Sequence, residues 1–225
     1  MRYQIEGGSL PAVVIQLDAG ETIMSELAGR TWAKGPIETE TRGTGGIGKS
    51  IGRMFSGESL FMSHYTAKGP AEIGFASSFA GSIIARELGP GESLICQKSA
   101  FLCSTSGVDL SIFFQKKLGA GFFGGEGFIM QKVTGPGVVF LELDGYVKEY
   151  DLAAGEELVC DTGVLALMDA SCKMDIRMVK GLKNKLFGGE GLVDTVITGP
   201  GKAYIQTMSL AHLGGILSPY IVQKK

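Results

Sequence analysis

Histidine is nearly missing from this sequence: its 225 residues include two, His64 and His212. A β-barrel metal site of the cupin kind needs two or three histidines and a carboxylate, two of the histidines one strand step apart. This chain cannot supply that set, and nothing in the spacing supports a Ser-His-Asp triad. Cysteine is scarce too. Cys96, Cys103, Cys160 and Cys172 contain no CxxC pair, so neither a zinc knuckle nor a dithiol redox pair is indicated. No sign of charge dominates, since 21 basic residues face 23 acidic ones for a formal net charge of -2. Surfaces that bind phosphate backbones carry a clear positive excess, so nucleic acid is not an expected partner. Lys180, Lys183, Lys185, Lys224 and Lys225 gather toward the C-terminus, loosely spaced as on a solvated face. No stretch approaches the ~18 uninterrupted apolar residues of a membrane-spanning helix. The opening MRYQIEGGSLPAVV lacks the basic start and long apolar run of a secretory signal. The expectation is a soluble cytoplasmic protein without a transmembrane segment, peripheral membrane association being left open.

Proline is sparse, at 7 residues, whereas glycine reaches 35. Glycine at this density without a collagen period implies many tight turns joining short strands. Amphipathic helices are hard to find; Ser209 to Leu217 is the nearest candidate. Short alternating segments are easy to find, such as Ile37 to Thr41 and Leu141 to Asp144. The fold class read from this pattern is all-β.

An internal repeat is the strongest signal. Phe123-Gly-Gly-Glu126-Gly127 precedes Thr134-Gly-Pro-Gly137, and Phe187-Gly-Gly-Glu190-Gly191 precedes Thr198-Gly-Pro-Gly201; the copies stand 64 residues apart (126 to 190, 134 to 198). Upstream, Leu88-Gly-Pro-Gly91-Glu92 matches Leu152-Ala-Ala-Gly155-Glu156 at the same offset (92 to 156). A more diverged copy comes first: Leu17-Asp-Ala-Gly20-Glu21, then Phe55-Ser-Gly57-Glu58, then Thr66-Ala-Lys-Gly69-Pro70, with Ala67 and Lys68 as an insertion. The units run 1–85, 86–149 and 150–225. In each, Leu-x-x-Gly-Glu is a turn entering a strand. Pro-Gly of Thr-Gly-Pro-Gly suits the central positions of a type II turn, so Phe128–Val133 and Val138–Leu143 are read as a hairpin. Gly-Gly-Glu-Gly reads as a bulge or corner. Units this small have little core of their own, and a row of them leaves two open ends that a ring of chains would close. A mean hydropathy of +0.20 is compatible with surface buried between chains.

Gly43-Thr-Gly-Gly-Ile-Gly48-Lys49-Ser50 fits the phosphate-cradling pattern G-x-x-x-x-G-K-S. That loop works between a buried parallel strand and a helix N-terminus. The preceding Ile37 to Arg42 is half charged, and Ile51 to Gly57 is interrupted by glycine, so Gly43, Gly48, Lys49 and Ser50 are read as a false positive and no cofactor is expected. Two sets of repeated carboxylates, Glu58, Glu126, Glu190 and Glu21, Glu92, Glu156, occupy equivalent positions. Acid–base pairs need unlike environments, so these carboxylates are read as acceptors of backbone N–H bonds at tight corners. Cys96 and Cys160 are equivalent to Ser25, as small buried side chains on a packed strand would be. Trp32 and the phenylalanines are read as core. No catalytic or metal-binding residue is assigned.

Tyr3-Gln-Ile-Glu-Gly-Gly, Leu17-x-x-Gly-Glu21, Ser56-Gly-Glu-Ser-Leu-Phe61 and the ordered Gly-Gly-Glu-Gly and Thr-Gly-Pro-Gly motifs resemble, over essentially the whole chain, the altered-inheritance-of-mitochondria twenty-four family. The resemblance implies three tandem β units similar to the subunit of the tryptophan RNA-binding attenuation protein, each a short double-stranded β-helix or sandwich, and three chains closing into a ring of nine units. The family's mitochondrial members are linked to inner-membrane organisation. This chain looks like a prokaryotic member, for which the resemblance supplies no activity and no catalytic residues. The reading is therefore a non-enzymatic scaffold or interaction protein, a homotrimer with an unidentified protein partner. The alternative is a ring that binds a small ligand or nucleic acid, by fold analogy.

Overall fold

The computed structural model describes residues 1–43, 61–116, 127–178, 193–208, 210–217 and 220. In chain order the strands are β1 (Arg2–Glu6), β2 (Ala12–Leu17), β3 (Thr22–Glu26), β4 (Trp32–Lys34), β5 (Ile37–Gly43), β6 (Phe61–Ala67), β7 (Ala71–Ala76), β8 (Gly81–Leu88), β9 (Ser93–Gln97), β10 (Phe101–Thr105), β11 (Asp109–Lys116), β12 (Phe128–Thr134), β13 (Gly137–Asp144), β14 (Val147–Leu152), β15 (Glu157–Asp161), β16 (Leu165–Asp169), β17 (Lys173–Met178), β18 (Val193–Thr198) and β19 (Gly201–Gln206). One short helix, α1 (Leu210–Leu217), comes after them. The all-β class holds, and the helix falls where the sequence placed it.

Four sheets form. Sheet I runs β1-β2-β7-β4, sheet II β5-β6-β3-β10-β13-β8, sheet III β11-β12-β9-β16-β19-β14, and sheet IV β15-β18-β17. One compact unit holds Met1–Glu92, Phe101–Asp109 and Thr134–Glu142; a second holds Ser93–Ala100, Leu110–Val133 and Leu143–Lys225. These boundaries cut across the segments 1–85, 86–149 and 150–225, because strands of neighbouring segments share sheets. In the first unit, Val13, Ile15, Ile73 and Phe75 of sheet I pack with Ile23, Tyr65, Cys103 and Phe140 of sheet II. In the second, Ile95, Phe128, Met130, Leu165 and Met168 of sheet III pack with Ile197 of sheet IV. Phe75, Phe128 and Phe140 are wholly buried, each worth about 2–3 kcal/mol of transfer free energy.

The turns behave differently from the sequence reading in one respect. Thr134-Gly-Pro-Gly137 does not close a hairpin: β12 lies in sheet III and β13 in sheet II, just as β18 lies in sheet IV and β19 in sheet III. Gly137 and Gly201 take φ of +147° and +133°, far from the value near +80° that a type II turn has at its third residue. The segment is a corner that sends the chain into another sheet. Turn chemistry is local, and the choice of strand partner is not.

Leu-x-x-Gly-Glu is a turn, as read. Glu21, Glu92 and Glu156 donate their backbone N–H to the carbonyl of Asp18, Gly89 and Ala153 at 3.0–3.1 Å. Gly20, Gly91 and Gly155 take φ of +91°, +77° and +81°, the region the third residue of a type II turn requires. These turns too are corners, since β2 and β3, β8 and β9, and β14 and β15 belong to different sheets.

The alternation read in Leu141 to Asp144 also fails, for Glu142 and Asp144 are buried with their apolar neighbours. Glu142 accepts hydrogen bonds from Ser77 Oγ at 2.9 Å, Ser78 N at 2.6 Å and Ser78 Oγ at 3.2 Å. A carboxylate so supplied with donors tolerates burial.

Candidate functional site

The repeated carboxylates take up the corner role the sequence suggests. Glu21, Glu92 and Glu156 each use one carboxylate oxygen to accept the backbone N–H of the residue three before, Asp18, Gly89 and Ala153, at 2.8–2.9 Å. Their carbonyls accept from Ala67, Gly135 and Gly199 at 2.9–3.0 Å. Each glutamate therefore ties two corners together and is committed to the backbone. Glu58, Glu126 and Glu190 lie outside the described residues, as do Gly48, Lys49 and Ser50. Gly43 ends β5 opposite Phe61 in an antiparallel pair. Among the described residues no group of three or more His, Cys, Asp or Glu is placed to hold a metal ion.

Cys96, Cys103 and Cys172 are buried and Cys160 half-buried, all as free thiols. Burial pushes the Cys160 thiol up to about 12, with the charges of Asp161 and Asp194 adding to it. Burial alone raises Cys103 well above its ordinary value. Neither supplies a thiolate near neutral pH.

His64 on β6 stands between Met24 and Glu40. Burial lowers its pKa, the Arg42 charge pushes the same way, and Glu40 opposes. A histidine whose folded pKa lies below its unfolded one releases protons on folding, so stability is lost as pH falls from the unfolded pKa through the folded one. His64→Gln is expected to flatten the decline of melting temperature between about pH 7.5 and about pH 5. Thermal melts of both proteins across that range check this.

The sequence reading missed the outer edges of sheets I and IV. Sheets II and III obey one rule. A triplet, β5-β6-β3 or β11-β12-β9, is continued by a triplet from the next segment, β10-β13-β8 or β16-β19-β14. Sheet I contains the counterpart of the second triplet alone, β4-β7-β2, with β1 added; sheet IV contains the counterpart of the first alone, β17-β18-β15. Strands β4 and β15 thus end their sheets at places where the other two sheets continue.

Backbone alternation fixes what these edges offer. Ser77 N donates to Pro11 O, making every second β2–β7 pair a bonded one and turning Glu72 and Gly74 toward β4. Their partners there are Lys34 and Trp32, so the N–H and C=O of Ala33 point to the open side. In sheet IV, Gly199 N donates to Glu156 O and Thr162 N to Val193 O. By the same alternation, Glu157, Val159 and Asp161 point their backbone groups away from β18.

Side chains at these edges are correspondingly bare. Val159 is 53% exposed, whereas its counterparts Met24 and Ile95 are 7% and 1% exposed. Trp32 is 36% exposed, whereas Cys103 and Leu167 are buried. Trp32 is thus an edge residue, not the core residue its composition suggested; Phe61 and Phe113 are exposed as well. The indole lies over Gly74, where a Cβ would collide with the ring, and Trp32 Nε1 donates to Glu72 Oε1 at 3.3 Å.

These features define an all-β protein whose two end sheets are complementary parts of one strand order. The model of the family described as Mitochondrial biogenesis AIM24 matches residues 3–208, and the chain belongs to that family. An uncharacterised protein of Streptococcus pyogenes serotype M6 is 27% identical over 230 residues, covering 98% of this chain and 91% of the relative. The crystal structure of a Streptococcus pyogenes protein is similar with a TM-score of 0.76 at 24% identity, covering 98% of this chain and 99% of that one. At that identity the likeness concerns the fold. No helix among the described residues is long and apolar enough to cross a membrane.

Proposed function

We propose that the protein is a non-enzymatic scaffold that associates with copies of itself, as a homotrimeric ring. One observation carries this reading: sheets I and IV end at unlike edges that continue in sheets II and III. Exposed edges with bare apolar side chains invite strand pairing. Supporting the absence of catalysis, the described repeated carboxylates are committed to corners, and burial holds the Cys103 and Cys160 thiols protonated. Light scattering on the purified chain at micromolar concentration is expected to give three times the 23.7 kDa chain mass. A single-chain mass would overturn the reading.

A further inference from the structure

We infer that copies join by antiparallel pairing of β15 of one chain with β4 of the next, in one register: Lys34 opposite Leu158, Ala33 opposite Val159, and Trp32 opposite Cys160. This rests on the self-association reading above and specifies its joint.

The register comes from the two sheets that are already continuous. In sheet II, Ser104 of β10 lies opposite Met24 of β3; in sheet III, Met168 of β16 lies opposite Ile95 of β9, and Leu167 opposite Cys96. On their other side, Ser104, Met168 and Ala33 face Val139, Ala203 and Ile73, each the third residue after a Gly-Pro corner's proline. Met24, Ile95 and Val159 each stand third after the corner glutamates Glu21, Glu92 and Glu156. Ala33 and Val159 are therefore the missing pair.

Two independent features agree with it. Ala33 and Val159 are the residues whose backbone groups point to the open sides, so they form a hydrogen-bonded pair when brought opposite each other. Finally, Cys160 packs against the core of the second unit, and directly opposed side chains share a face. The joint therefore carries the indole of Trp32 over that core and covers it. The product is a seven-stranded sheet, β17-β18-β15 continued by β4-β7-β2-β1 of the next copy.

Paired cysteines test the register. Ala33→Cys with Val159→Cys in one chain, oxidised with copper phenanthroline, is expected to give covalent multimers on a non-reducing gel at roughly tenfold the yield of either single variant or of Ala33→Cys with Glu157→Cys. Val159→Pro removes an N–H that β18 does not use. It is expected to reduce the mass in solution to one chain and to raise acrylamide quenching of Trp32, the sole tryptophan. If the wild type is an oligomer but the 33/159 pair links no better than the shifted pair, the scaffold reading stands and this joint is wrong. If the wild type is one chain, both fall. Should Val159→Pro lose its folded circular dichroism, the cysteine pairs alone decide.

Discussion

Phe140→Ala is expected to destabilise the first unit by about 3–5 kcal/mol, as for a large aromatic removed from a core that cannot collapse onto the void. Phe140 is fully buried on β13, opposite Cys103 of β10. Tyr3 of β1 meets its ring edge-on, with centroids 4.9 Å apart and planes at 81°. The truncation thus loses packing to sheet II and to the outermost strand of sheet I together. Phe113, 45% exposed on β11, is the control; Phe113→Ala is expected to change stability by no more than about 0.5 kcal/mol. Urea unfolding of both variants measures the contrast. Similar losses would mean that Phe140 does not anchor the core as described.

Gly135→Ala and Gly199→Ala are expected to cost about 3 kcal/mol each, at the upper end for overpacking, because the obstruction is main chain. A Cβ at Gly135 would stand 2.6 Å from the carbonyl oxygens of both Leu88 and Gly89; one at Gly199 would meet those of Ala153 and Leu152. Those carbonyls belong to the Leu-x-x-Gly-Glu turns, which the corner glutamates already tether, so neither side can yield. Gly69 holds the corresponding place before Pro70, yet a Cβ there would meet only Pro36 Cγ at 3.3 Å. Gly69→Ala is expected to be nearly silent, and denaturation midpoints of the three variants would show it. Equal losses at all three would remove the corner-against-turn account.

That contrast shows what is legible in the amino-acid order. Leu-x-x-Gly-Glu predicts a turn, and a turn forms, because an αL glycine and a carboxylate within hydrogen-bonding reach of an amide three residues back are local facts. The same locality misleads at Thr134-Gly-Pro-Gly137. Two apolar runs around a Gly-Pro look like a hairpin, but whether β13 pairs with β12 or joins β10 and β8 depends on residues far away in sequence. A lone tryptophan is usually buried, which points Trp32 to the core; the glycine that accommodates its ring, Gly74, is 42 positions off (32 to 74) and carries no local mark. Glu142 reads as the solvent side of an alternating strand, since nothing near it reveals Ser77 and Ser78 waiting with donors. The edges β4 and β15 are invisible for a related reason: an edge is a property of the sheet, and the strand carrying it looks like any other.

Because β4 and β15 are unlike, a line of copies joined by the proposed pairing would have polarity. A twofold pairing of like surfaces saturates in a dimer, whereas the proposed contact would leave each added copy with one used end and one live end, so growth would stop only when the last copy met the first. A subunit with proline at position 159 and an intact β4 would therefore act as a chain terminator: mixed with native subunits it would accept a partner at one end and offer none at the other.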